Sequence, residues 1–74
     1  MVRYRNSSGS SGVVAYEIGD DFIKVQFHDR KTYLYSYKSA GSHHIEQMKT
    51  LAVRGRGLNS YINTYVKDKY ESKS

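Results

Sequence analysis

The sequence predicts an α+β domain, in which a three-stranded antiparallel β-meander is followed by two helices packed on one face (β-β-β-α-α). Three observations predict it. Ile23, Val25 and Phe27 alternate with Lys24 and Gln26, the period-two pattern of a half-buried strand. The β-rich segments on either side are joined to it by short polar connections, which favour antiparallel neighbours. Leu58, Tyr61, Ile62, Tyr65 and Val66 then recur at helical spacing and make one apolar stripe.

Taken in order, Val13-Val14-Ala15-Tyr16-Glu17 is rich in residues that fit a pleated, half-buried surface. Gly19-Asp20-Asp21 is a turn signal leading into the alternating strand. His28-Asp29-Arg30-Lys31 is a polar hairpin loop. Thr32-Tyr33-Leu34-Tyr35-Ser36-Tyr37 is the third strand, with Tyr33, Tyr35 and Tyr37 on one face. A sheet with one apolar face must be covered. The first covering helix carries Ile45, Met48, Leu51 and Ala52, and Ser42 is its expected N-cap because a hydroxyl there accepts an orphan backbone N–H. Gly55-Arg56-Gly57 interrupts the pattern before the second helix, whose Lys67 and Lys69 suit the negative end of the helix dipole. The expected sheet core is Val14, Tyr16, Ile23, Val25, Phe27, Tyr33 and Tyr35. The expected helix core is Ile45, Met48, Leu51, Leu58, Ile62, Tyr65 and Val66.

Residues 1–9 read as a flexible N-terminal segment, with a Gly/Ser-rich stretch over Asn6–Gly12. Residues 10–70 read as one folded domain and 71–74 as a disordered tail. A chain of 74 residues holds one domain and leaves little room for a deep enzyme cleft. It has no Cys, which excludes disulfides, thiolate metal sites and thiol nucleophiles. The formal charge is +5 and uneven. Residues 1–12 carry Arg3 and Arg5 and no acid, residues 13–29 carry Lys24 against four acids, and residues 30–74 carry nine cations against three acids. Such a basic half can attract polyanions; it is equally an ordinary solvated surface. No apolar run approaches the roughly 20 residues of a membrane span, and the N-terminus lacks the apolar core of a secretory signal, so the cytoplasm is the expected location.

The matching stretches Ser10-Ser11, Val14-Ala15-Tyr16, Ile23-Lys24-Val25-Gln26-Phe27, Tyr33-Leu34-Tyr35 and Gly57-Leu58-Asn59-Ser60-Tyr61-Ile62 follow one another in an order that resembles the KTSC domain. That family is named after the C-terminal domain of some lysyl-tRNA synthetases, and it also occurs as small free-standing bacterial proteins. Asp29-Arg30 stands where the family usually has Gly, and Tyr37-Lys38 where it usually has Val-Pro. The resemblance implies an RNA-binding role.

Arg54-Gly55-Arg56-Gly57 is the most suggestive local feature. Successive backbone N–H groups before a helix can cradle an anion that flanking arginines clamp. The other reading is an inter-helix turn in which Gly55 and Gly57 supply positive φ and the arginines face solvent. Lys31 and Lys38, with Arg30, are further cations that would join Arg54 and Arg56 in one patch. Tyr33 and Tyr35 are expected in the core, whereas Tyr37 beside Lys38 is expected to be free to stack on a base. His28, His43 and His44 do not share metal-ligand spacing, Asp20-Asp21 belongs to a turn, and no cofactor is implied. The expected function is therefore a small non-enzymatic binding module for tRNA or single-stranded RNA, with Lys31, Lys38, Arg54 and Arg56 on phosphate and Tyr37 on a base. The alternative is a protein-interaction module or weak homodimer.

Overall fold

A computed structural model describes residues 1–6 and 12–74. The Gly/Ser-rich stretch at 7–11, including Ser10-Ser11, lies outside the described residues. The protein is α+β with one antiparallel sheet of five strands: β1 (Val2–Arg3), β2 (Val13–Ile18), β3 (Phe22–Phe27), β4 (Thr32–Ser36) and β5 (Ser72–Lys73). They lie side by side in sequence order. The three expected strands form the centre, and the two chain ends add the edges.

The first hairpin closes where the Gly19 N–H donates to the Phe22 carbonyl, with the Phe22 ring lying where a Cβ on Gly19 would stand. The second closes through Phe27 N–H to Lys31 O and Arg30 N–H to Phe27 O. Arg30 takes a φ of 71°, a left-handed conformation that a glycine would adopt more cheaply. In β2 the register jumps: Val13 pairs with Phe27 but Ala15 pairs with Gln26. Val14 is therefore the extra residue of a β-bulge, and a bulge shifts by one the residues that face inward. This corrects the expectation of Val14 in the core. Val13 is 1% exposed and Val14 39%.

The ends of the chain are also corrected. Residues 1–9 were expected to be loose, yet Val2 and Arg3 pair with Tyr16 and Ala15, and Tyr4 is buried. Residues 71–74 were expected to be a tail, yet Ser72 and Lys73 pair with Leu34 and Tyr33. Thr32 and Ser74 also exchange two backbone hydrogen bonds of 2.8 Å.

Between β4 and β5 run the helices α1 (Tyr37–Ala40), α2 (Ser42–Arg54) and α3 (Leu58–Tyr61), the last continuing into a π-helical segment, Ile62–Val66. Ser36 ends β4 and caps α1: its Oγ accepts from the Ser39 N–H at 3.1 Å, and its own N–H donates to Ser39 Oγ at 3.0 Å, a reciprocal capping box. Ser36 Oγ also donates to Glu71 at 2.6 Å, which ties the C-terminal segment to the start of the helices. The expected capping by Ser42 is not what forms. Gly41, at a φ of 92°, is the N-cap of α2 and Ser42 is already helical, because the chain enters α2 from α1 rather than from a loop. Among the described residues no helix is long and apolar enough to cross a membrane.

The core lies between the sheet and these helices. Ile23, Val25 and Tyr35 from the sheet meet Ile45, Met48, Leu51 and Ala52 of α2, with Leu58, Ile62 and Val66 beyond. Phe27 and Tyr33, expected inside, are half-buried at one end of it. Tyr65, also expected inside, is 54% exposed. The π-helical turn closes i→i+5 and so advances fewer degrees per residue than an α-helix. That swings Tyr65 out of the stripe while Val66 remains under it.

Replacing Ser36 with Ala removes both the cap acceptor and the Glu71 partner. The expected cost is about 1–2 kcal/mol of unfolding free energy, measured by urea denaturation, with faster amide exchange at Glu71 and Ser74.

Candidate functional site

The residues that gather chemistry lie at the end of the sheet where the β3–β4 loop projects. Tyr4 anchors this end. As an alternating residue of the N-terminal segment it points inward, is 3% exposed and meets Tyr16 edge-to-face at 6.5 Å. Its hydroxyl accepts a hydrogen bond from the Leu58 N–H at 3.3 Å, filling an orphan donor at the start of α3. Tyr4 thereby pins β1 to the turn between α2 and α3.

That turn is built by its glycines. Gly55 ends α2 in the left-handed conformation (φ 84°), with its N–H shared between the carbonyls of Leu51 at 2.9 Å and Ala52 at 3.2 Å. Gly57, also at φ 84°, precedes α3. The Gly55 and Leu58 amides are thus already engaged. The Arg56 and Gly57 amides between them make no hydrogen bond among the described residues. Arg54 and Arg56 are exposed on either side of Gly55. Arg5 lies directly on Gly55: a Cβ there would stand 2.6 Å from Arg5 Cβ and 3.3 Å from its Cδ. Arg3 and Arg5 also line a shallow cleft of about 580 Å³ with Asn6, Val14 and Gln26. Among the described residues the only ion pair is Lys49–Glu46, so these arginines have no acidic partner there.

The other expected site residues do not form a single patch with Arg54 and Arg56. Lys31 is exposed in the hairpin loop at the same end of the sheet, but on the β4 side. That is three strand spacings from β1, about 14 Å. Tyr37 and Lys38 begin α1 at the opposite end of β4, a strand length of about 17 Å away. Tyr37 is not a third strand tyrosine but the first residue of a helix. Its hydroxyl donates to Glu46, and the Lys49 ammonium lies 5.7 Å from its ring centroid. The hydrogen bond to Glu46 raises the Tyr37 pKa. The hydrogen bonds from Lys49 and then Tyr37 hold the Glu46 carboxyl below its ordinary value.

Two features were missed in the sequence. His44, set aside above as a metal ligand, is half-buried with its Nδ1 2.7 Å from the Tyr61 hydroxyl and its ring 5.8 Å from that of Tyr65. Burial, and then the neighbouring Tyr65, raise the Tyr61 pKa. The larger feature is a groove of about 640 Å³ between the β3–β4 loop, the C-terminal segment and the helix that follows Gly57. Phe27, Tyr33 and Tyr70 line one side, with Tyr33–Phe27 and Tyr33–Tyr70 edge-to-face at 5.4 and 5.0 Å. Asn59, Asn63 and Lys67 line the other, spaced by four residues along one helical flank. Tyr35 closes the bottom, and burial pushes its pKa well above the ordinary tyrosine value. The spacing of Asn59, Asn63 and Lys67 was the available signal. Set against known proteins, the chain matches no family model, no curated protein and no solved structure.

Gly55→Ala should disturb this end specifically. A Cβ at a left-handed position costs about 1–2 kcal/mol, and here it also displaces Arg5. Thermal unfolding should show that loss, and the Arg5 and Tyr4 resonances should shift far more than those of α1.

Proposed function

We propose that the chain is a non-enzymatic module that binds single-stranded or structured RNA at the loop end of its sheet. The observation that carries this reading is the seating of Arg5 on Gly55, which brings Arg5 to a turn that also carries the exposed Arg54 and Arg56, none of the three in an ion pair among the described residues. Guanidinium forks suit phosphate oxygens bidentately. Arg3 continues the basic surface along β1, while Lys31 stands apart from it on the β4 side. Tyr37 and Lys38 have no part in this surface. The resemblance to the KTSC domain, whose implied role is RNA binding, supports the same reading. A homodimer through strand pairing is less favoured, because both edge strands are two residues long and offer little ladder to a second copy.

The test is fluorescence anisotropy of labelled oligo-U and tRNA at several salt concentrations. Binding should weaken linearly in log–log form as salt rises. Arg54→Ala/Arg56→Ala should lower the affinity and reduce the slope by about 1.4, two phosphate contacts' worth on a single strand. Absence of binding at about 100 µM protein in low salt, the weak end of non-specific affinities, contradicts the proposal.

A further inference from the structure

Asn59, three residues after Arg56 in α3, is the groove-lining residue nearest in the chain to the arginine turn; the arginines themselves do not line the groove. Its two walls differ in kind. The aromatic wall is only half-buried, and the Lys73 ammonium lies 5.8 and 5.7 Å from the Tyr33 and Tyr70 centroids, so a flat ligand stacking there takes the place of that flexible side chain. The facing wall is polar. The carboxamides of Asn59 and Asn63 have no hydrogen-bond partner among the described residues, and neither does the His28 imidazole at the groove's end. Gly12 keeps that end open, since a Cβ there would stand 3.2 Å from His28 Cδ2 and 3.9 Å from Asn59 Oδ1. Asn63 and His28 are exposed and Asn59 is half-buried, so in the unbound chain water can supply their hydrogen-bond partners. A ligand edge can supply them in its place.

Charge separates the groove from the turn. Lys67 and Lys73 are offset by Asp29 and Asp68, so the groove lining is formally neutral, whereas the turn beside it carries only arginines. That division matches the two parts of a nucleotide. An uncharged planar base stacks on aromatic faces and presents donors and acceptors at its edge, which carboxamides pair with well. Its phosphates are anionic and suit the arginines. Sequence-specific RNA recognition works on unpaired bases splayed out of a strand, in this way. The groove's size also falls in the range of small-ligand sites, roughly 300–1,000 Å³.

We infer that the groove is a nucleobase subsite, in which one unpaired base of an RNA strand lies against Tyr33 and Tyr70 and is read at its edge by Asn59 and Asn63, while the adjoining phosphates rest on Arg5, Arg54 and Arg56. The inference rests on the RNA reading above and adds to it a base-reading site. Asn63 and Tyr70 are its distinguishing residues, because neither reaches the arginine turn.

The experiment is an oligo-U and oligo-A titration of the full chain and of its Asn63→Ala and Tyr70→Leu variants, with circular dichroism confirming the fold of each. Asn63→Ala should weaken binding about tenfold and change the preference between the two oligonucleotides. The salt slope should stay unchanged, since no phosphate contact is lost. Tyr70→Leu should weaken both oligonucleotides similarly, because stacking is tolerant of base identity. The side-chain amide resonances of Asn59 and Asn63 should shift on titration with uridine or adenosine monophosphate. If the oligonucleotides bind and depend on Arg54 and Arg56, yet both variants bind like the parent chain, the base subsite is wrong and the RNA reading survives. If no oligonucleotide binds at all, the RNA reading fails and the subsite falls with it.

Discussion

The hydrogen bond between the Tyr4 hydroxyl and the Leu58 N–H is the contact on which the loop end of this protein depends. It joins residues 54 positions apart and does three things at once. It satisfies a buried backbone donor, which would cost about 1–3 kcal/mol if left alone. It holds a two-residue edge strand against the sheet, where so few ladder bonds would hold it weakly. It also carries Arg5 onto Gly55, so that a cation from the N-terminal segment joins the two of the α2–α3 turn. The glycine permits that approach, because any side chain would occupy the space Arg5 takes.

The C-terminal edge is secured by an analogous device at the other end of β4. Ser36 is the only buried polar residue among those described, and its hydroxyl both caps α1 and holds Glu71. From Glu71 the chain turns back along β4 and brings Tyr70 and Lys73 to the aromatic groove. Each sheet edge is thus a short segment whose few backbone bonds are supplemented by one side-chain hydroxyl. Each fastening also positions residues of the candidate site. Stability and binding are coupled through the termini, although most of the core lies in the central strands and α2.

The central strands were legible because alternation at Ile23, Val25 and Phe27 is a local signal that survives folding. Local signals failed where geometry departed from the regular periods. The bulge at Val14 moved Val13 inward, and the π-helical turn moved Tyr65 outward. The edge strands gave no periodicity to read, since two residues cannot show one. At the candidate site, Arg54-Gly55-Arg56-Gly57 was visible because glycines punctuate a helical pattern. That Arg5 joins it was not visible, because the link runs through a tertiary contact. Lys38 was placed with the arginines by charge and Tyr37 by its position beside Lys38, and the length of β4 separates both from the turn. Phe27 and Tyr33 were read as core from their alternation, which is correct for the face they occupy but silent on where that face ends.

The most direct test of the central claim is a heteronuclear NMR titration of the full chain with an unlabelled single-stranded RNA, mapped residue by residue. The account predicts shifts concentrated at Arg5, at the stretch from Arg54 to Asn59, and at His28 and Asn63, with the Tyr37–Ala40 helix unchanged. Shifts confined to that helix or to the open face of the sheet around Lys24 and Leu34 would contradict it.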